Sequence, residues 1–284
     1  MPVHTSAVGT TLSSASRKIT TRECLAYAAG IEDYSAALFD DLDPNFMACP
    51  QICVSLEWPL VSHADITAAY ACEQDERGRG VHYIQDSMFH TPIRPEDEVK
   101  SDLQIIGVSE GRAGARTVLE ATTKRSDGTP LVTSWTTSVL RGVAIEGEDT
   151  ATASPAPWPD AGDYAPLSPV EIFIQPGLPH VYTECADIWN PIHTEREVAL
   201  AAGLPDIILH GTATWALAVR EVVADRLGGD PSRLARFTGR FTGMVIPGTD
   251  ITVRHAATDK GAVYEVIAAD GSKAISAGRA LFRE

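Results

Sequence analysis

Apolar residues recur at helical spacing in one long segment. In "TATWALAVREVVADRLGG" (212–229), Trp215, Val219, Val222, Val223 and Leu227 share a face, and Gly228 and Gly229 close the run. A shorter segment, "TTRECLAYAAGIE" (20–32), carries the same signal in the first half. Two other stretches alternate apolar and polar residues about a central Asp-Gly: "TVLEATTKRSDGTPLVTSWTTSVLRG" (117–142) and "AVYEVIAADGSKAISAGRALFRE" (262–284). Asp-Gly between alternating runs is a hairpin signal, so both predict strand, turn, strand. Ahead of each hairpin stand matching segments, "FHTPIRPEDEV" (89–99) and "FTGMVIPGTDITV" (241–253), in which Phe89 answers Phe241 and Pro95 answers Pro247. The repeated order reads as a diverged duplication. A helix followed by antiparallel strands in each half is an α+β arrangement, with a sheet wrapped on a helix.

Residues 146–169 are rich in Pro, Ala, Asp and Thr and lack periodicity, which reads as a linker between the halves. The expected division is an N-terminal unit over 1–145, a linker over 146–166 and a C-terminal unit over 167–284. The opening "MPVHTSAVGTTLSSASRKITT" is small and polar, without the apolar core of a signal peptide. It reads as an arm, either loose or docked on the body.

Chemistry concentrates in "DIWNPIHTEREVALAAG" (187–203). Pro191 fixes its own φ and biases Asn190 towards an extended backbone. Thr194 and Glu197 have capping-box spacing, predicting a helix from Glu195 with His193 on a rigid elbow just outside it. A helix start requires neither Asn190 nor His193. Further on, His210 and Gly211 open the long helix, with Thr212 or Thr214 as the expected N-cap. A helix N-terminus presents unpaired N–H groups to an anion or developing oxyanion, and glycine lets a ligand approach.

The pairing of Asn190-Pro191-Ile192-His193 with His210-Gly211 and a long apolar helix resembles the MaoC-like (R)-specific enoyl-CoA hydratases and dehydratases. The paired halves resemble the family's double hot-dog members. The resemblance implies an α+β double hot-dog fold, one active site in the C-terminal unit, and an N-terminal unit that shapes the acyl pocket. It implies water addition to an α,β-unsaturated thioester of CoA or a carrier protein, or the reverse, without a metal or organic cofactor. In that reading His193 is general base and acid. Asn190 orients water or fixes the loop, and the Gly211 N–H stabilises the enolate. His210 lies on the substrate side or packs. The family motif places an aspartate two residues before the asparagine. Here Ile188 holds that place and Asp187 stands one residue early. Either a bulge restores Asp187 to the site or the dyad has lost its carboxylate; Glu184 and Glu195 are nearby substitutes. The first half has no N-P-x-H in "ALFDDLDPNFMACPQ" (37–51), and His90 reads as structural.

Composition narrows the partners. A net charge of −15 argues against general nucleic-acid binding, and no run approaches a membrane span. Arg233, Arg236 and Arg240, in "RLARFTGR" (233–240), are the candidates for the phosphates of a coenzyme. Five cysteines without a C-x-x-C pair read as reduced thiols of a cytoplasmic protein. His180, His193 and His210 lack the tight spacing of a zinc site. The resemblance also admits a homodimer. A hot-dog thioesterase and a non-catalytic acyl-binding subunit are the competing functions.

Overall fold

The computed structural model describes residues 1–283. In chain order, β1 (Val3–His4) and β2 (Thr11–Lys18) lead to α1 (Thr21–Gly30), α2 (Ala36–Phe39), α3 (Cys53–Ser62), α4 (Ile66–Tyr70) and α5 (Gln74–Gly78). Four long strands follow: β3 (Gly80–Phe89), β4 (Glu98–Ser109), β5 (Gly114–Arg125) and β6 (Pro130–Arg141). After the short β7 (Ile145–Glu146) and β8 (Thr150–Ala151) come β9 (Ser168–Phe173), α6 (Leu178–Ala186), α7 (Arg196–Ala201) and α8 (Gly211–Arg226). The chain ends with β10 (Leu234–Phe241), β11 (Asp250–Thr258), β12 (Gly261–Ala268) and β13 (Lys273–Phe282). This is the α+β double hot-dog fold.

The strand order repeats. Within the first compact unit the strands run β2-β4-β5-β6-β3 and within the second β9-β11-β12-β13-β10, so corresponding strands hold corresponding places. Even the hairpin turns agree. Asp127 Oδ1 accepts from Thr129 N at 2.8 Å, and Asp270 Oδ1 accepts from Ser272 N at 2.9 Å. Gly128 and Gly271, at φ 90° and 82°, take the left-handed conformation that each turn requires.

The chain divides into two compact units that are not its two halves. One comprises 1–17, 56–90 and 98–159; the other comprises 18–55, 91–97 and 160–284. The sequence boundaries at 145 and 167 follow the duplication, whereas the contacts interleave. In the first unit, Leu60, Ile66 and Tyr70 pack on Leu103, Ile105, Leu119 and Leu140 of the sheet. The N-terminal arm is docked: Val3 pairs with Ile145, and the N–H of Gly9 reaches Ile105 O at 2.8 Å. Part of the expected linker is also ordered, with Thr150 opposite Val108 and Trp158 Nε1 donating to Asp86 at 3.2 Å.

In the second unit the sheet wraps α8, whose residues Ala213–Val219 are all buried. The predicted apolar stripe was too narrow, because a helix enclosed by its sheet is covered well beyond one face. Trp215 meets Phe237 edge-on at 5.6 Å, and Phe237 stacks on Tyr264 at 4.5 Å. The helix begins at Gly211 with His210 at the N-cap and no side-chain cap. Thr214 is not the cap: its hydroxyl turns back to His210 O at 3.2 Å.

The first-half helix α1 is not the helix of the first sheet. It packs against α6 in the second unit, where the Tyr27 and Tyr182 hydroxyls lie 3.2 Å apart. Gly30 permits this approach, since a Cβ there would lie 2.7 Å from Cys185 Cβ. Gly30→Ala should therefore cost about 1–3 kcal/mol through overpacking of two helices. Gly78→Ala, which faces open space, should stay within about 0.5 kcal/mol of the parent. Urea denaturation of the full chain compares the two.

Candidate active site

The site is assembled from three consecutive pieces of the second unit. Helix α6 stops at Asp187, which adopts the left-handed conformation (φ 54°, ψ 43°) that aspartate tolerates better than most residues. The N–H of Ile188 returns to Thr183 O at 3.1 Å. This turn settles the register question. Ile188 points inward and is 5% exposed, whereas Asp187 is exposed and makes no hydrogen bond or ion pair among the described residues. No bulge brings its carboxylate back to His193.

Next comes the elbow. Asn190 is extended and caps a 3-10 turn over Pro191–His193, its Oδ1 accepting from Ile192 N at 3.4 Å. Its amide therefore shapes the loop. The predicted capping box does not form: α7 starts at Arg196 with Glu195 at the N-cap, and Thr194 ends the 3-10 turn. The turn initiated at Pro191 takes both Thr194 N, at 3.2 Å, and Glu195 N, at 2.8 Å, as donors to Pro191 O, so the α-helix begins later. Thr194 Oγ1 donates to Glu195 instead, and Glu195 also accepts from Trp189 Nε1 at 3.4 Å. Neither Glu195 nor the exposed Glu184 bonds to His193.

The third piece is the approach to α8. Ile208 O accepts from His193 Nδ1 at 2.8 Å. A carbonyl can only accept, so Nδ1 carries the proton and Nε2 is left as the basic nitrogen. Nε2 has no hydrogen-bond partner among the described residues. The ring also stacks on His210, with centroids 3.8 Å apart and planes 26° from parallel. His210 is 2% exposed, its Nε2 lies 3.2 Å from Thr183 Oγ1, and Tyr182 packs at 5.1 Å. Gly211 follows. A Cβ there would meet the Phe241 ring at 3.2 Å, and the first N–H groups of α8 open at this point.

Burial lowers the His193 pKa, against a smaller opposing effect of the Ile208 carbonyl. Burial also drives His210 down to about 2, helped by His193 beside it and opposed by the Ile188 backbone. Both rings are thus neutral at neutral pH. His180 spends its Nε2 on Thr194 O at 3.0 Å, and no cluster of metal-ligating side chains occurs among the described residues. Each of the three histidines engages the loop or its flanking helix, through Thr194 O, Ile208 O and Thr183 Oγ1 respectively.

Other expected residues are dispersed. Arg236 is 2% exposed on β10, so it offers no guanidinium to a coenzyme phosphate; Arg240 and Arg233 are exposed. His90 bonds Thr133 at 3.0 Å in the first unit. All five cysteines are free, and burial pushes the Cys24 thiol up to about 11. Thr183, Tyr182 and the Ile208 carbonyl were not anticipated. A backbone carbonyl leaves no mark in sequence, and Thr183 resembles any helical threonine.

Residues 180–277 match the family described as MaoC like domain. An enoyl-CoA hydratase of Mycobacterium tuberculosis is 28% identical over 70% of this chain and 68% of its own length. The chain spans about two thirds or less of the curated relatives it matches first. Among solved structures, a MaoC-like dehydratase from Phytophthora capsici superposes with a TM-score of 0.84 at 20% identity, covering 98% of each chain. A Mycobacterium tuberculosis protein described as a double hot-dog fold gives a TM-score of 0.59 at 13% identity, over 96% of this chain and 94% of that one. These two likenesses speak to the fold.

Protonation of the two buried rings must cost stability in acid. Their folded pKa values lie below the ordinary 6.5, so below that pH the unfolded chain binds more protons and stability falls. The contribution is complete above about pH 6.5 and is lost progressively as pH falls from there towards the lower folded values. Thermal melts should decline on acidification from that point, and His210→Phe should show the shallower decline.

Proposed function

We propose, for a chain that belongs to the MaoC-like hydratase and dehydratase family with double hot-dog architecture, that it adds water across the double bond of an α,β-unsaturated acyl thioester or removes it from the 3-hydroxyacyl thioester. Hydratase or dehydratase chemistry on acyl-CoA-type thioesters comes with that membership. The observation that carries the finer reading is the bond from His193 Nδ1–H to Ile208 O, which presents Nε2 as a neutral base beside the start of α8.

In the hydration direction, Nε2 takes a proton from water as the oxygen bonds to the β-carbon. The π electrons move to the thioester carbonyl and form an enolate. The Gly211 N–H donates to that oxygen, an interaction typically worth about 3 kcal/mol in the transition state. The His193 imidazolium then returns its proton to the α-carbon, which regenerates the base. Its depressed pKa suits both halves, since the base is free at neutral pH and the acid gives up its proton readily. Asn190 holds the turn that carries His193, and Asp187 has no proton-transfer role. Arg240 is the exposed cation we assign to a coenzyme phosphate. The (R) configuration rests on the family resemblance.

A thioesterase would activate water against the carbonyl with a carboxylate. Asp187 and Glu184 are exposed, and Glu195 accepts from Thr194 and Trp189; none of the three bonds His193, which favours hydration. Incubation with crotonyl-CoA separates the readings. Loss of enoyl absorbance supports hydration, release of free thiol supports thioester cleavage, and neither supports a binding subunit. Chiral analysis of the product checks its configuration.

His193→Ala should lower turnover by on the order of 10²–10⁴ with the fold intact by circular dichroism. Asp187→Asn should change it by no more than about twofold, the behaviour of an exposed side chain outside the site. An equal loss in both variants would place Asp187 in the reaction. The acid limb of kcat/KM should lie below the ordinary histidine value.

A further inference from the structure

We propose that His210 is a positioning residue: its ring, together with the Ile208 carbonyl two residues before it, forms a cradle that fixes both the plane and the tautomer of His193. The inference rests on the reaction assigned to His193 above and names what makes that base single-valued in the absence of a carboxylate partner.

Two contacts hold the imidazole from two directions. The Ile208 carbonyl fixes its edge through Nδ1 at 2.8 Å, and the His210 ring fixes its face at 3.8 Å. Hydrogen bonds to a carbonyl tolerate a broad range of directions. The carbonyl acting without the stack would let the ring rock about the bond and carry Nε2 away from the reacting carbon. The stacked face removes that freedom.

His210 can do this because it is immobile itself. It is the N-cap residue of α8, and its own C=O accepts from both Thr214 N at 3.0 Å and the Thr214 hydroxyl. Thr183 Oγ1 at 3.2 Å from Nε2 sets the ring's rotation, and Tyr182 backs it. Leu209, between the two cradle residues, is pinned by its N–H to Val245 O at 2.8 Å. Nδ1 of His210 is buried and makes no hydrogen bond of full geometry, the Ile188 backbone beside it serving only weakly. A poorly satisfied buried nitrogen is unfavourable, so filling space does not explain an imidazole there. A ring face whose angle is set by Thr183 does.

The test uses ¹⁵N-histidine-labelled protein. Long-range ¹⁵N–¹H spectra report the tautomer of each ring, with His193→Gln identifying the His193 signals. Crotonyl-CoA hydration supplies kcat and KM. In the parent, His193 should appear as the Nδ1–H tautomer. His210→Leu removes the face and the Thr183 bond together. It should mix the tautomers and lower kcat on the order of 10²-fold, the usual cost of a misplaced catalytic group, with KM within about twofold. His210→Phe keeps the face and Thr183→Val keeps the ring. Each should fall between, at about tenfold. An unmixed Nδ1–H tautomer in His210→Leu, whatever its rate, overturns the proposal, as does a Phe variant no better than Leu. If His210→Leu fails to fold, Thr183→Val decides by the same tautomer signature. Absence of hydration by the parent would sink the reaction reading, while the tautomer spectra would still decide on the cradle.

Discussion

The enclosure of α8 is the constraint from which the site follows. A helix buried through Ala213–Val219 cannot slide or tilt without opening the core around Trp215, Phe237 and Tyr264. Gln51, itself buried, reaches the helix from another side and donates to Ala216 O at 3.2 Å. Gly211 lies close against Phe241, whose ring would have to give by a few tenths of an ångström for any Cβ there. The start of the helix is therefore fixed, and with it the ring of His210 and the carbonyl of Ile208. His193 has only to be delivered to that wall, which the Pro191 turn accomplishes.

The same enclosure decides the electrostatics. A carboxylate within about 4–6 Å of an imidazole typically raises its pKa by 1–3 units and would hold His193 in its charged, non-basic form nearer to neutrality. With Ile188 turned inward and Asp187 outward, no carboxylate among the described residues acts on His193. A neutral carbonyl selects the tautomer and opposes desolvation only in part, so burial prevails and the ring is basic at neutral pH. Orientation comes from a dipole and a stacked ring, and the protonation state from exclusion of water.

What the sequence made legible is what short-range chemistry determines. The Asp127-Gly128 and Asp270-Gly271 hairpins close on their own side chains, so the strands and their repeated order could be read directly. The elbow was legible because Asn190 and Pro191 act within three residues. Thr194 misled because two local signals competed: the proline turn reached it first, and a cap that spacing alone allows was pre-empted. Long-range partners were not legible. Nothing near Tyr27 announces Tyr182, 155 residues away, and the carbonyl of Ile208 would be present whatever residue stood there.

The duplication has consequently been divided unequally. Both halves keep the strand order, yet the helical segment of the first half, 18–55, belongs to the compact unit that holds the elbow. There Tyr27 braces Tyr182, which packs on His210, which stacks on His193. Arg220 on α8 donates to Ile31 O at 2.8 Å, closing the end of α1. Having no N-P-x-H of its own, the first-half segment is constrained by close packing against α6, and Gly30 is the residue that packing requires. A chemically silent helix is thereby held to a tight structural specification, because the geometry it braces is that of the base.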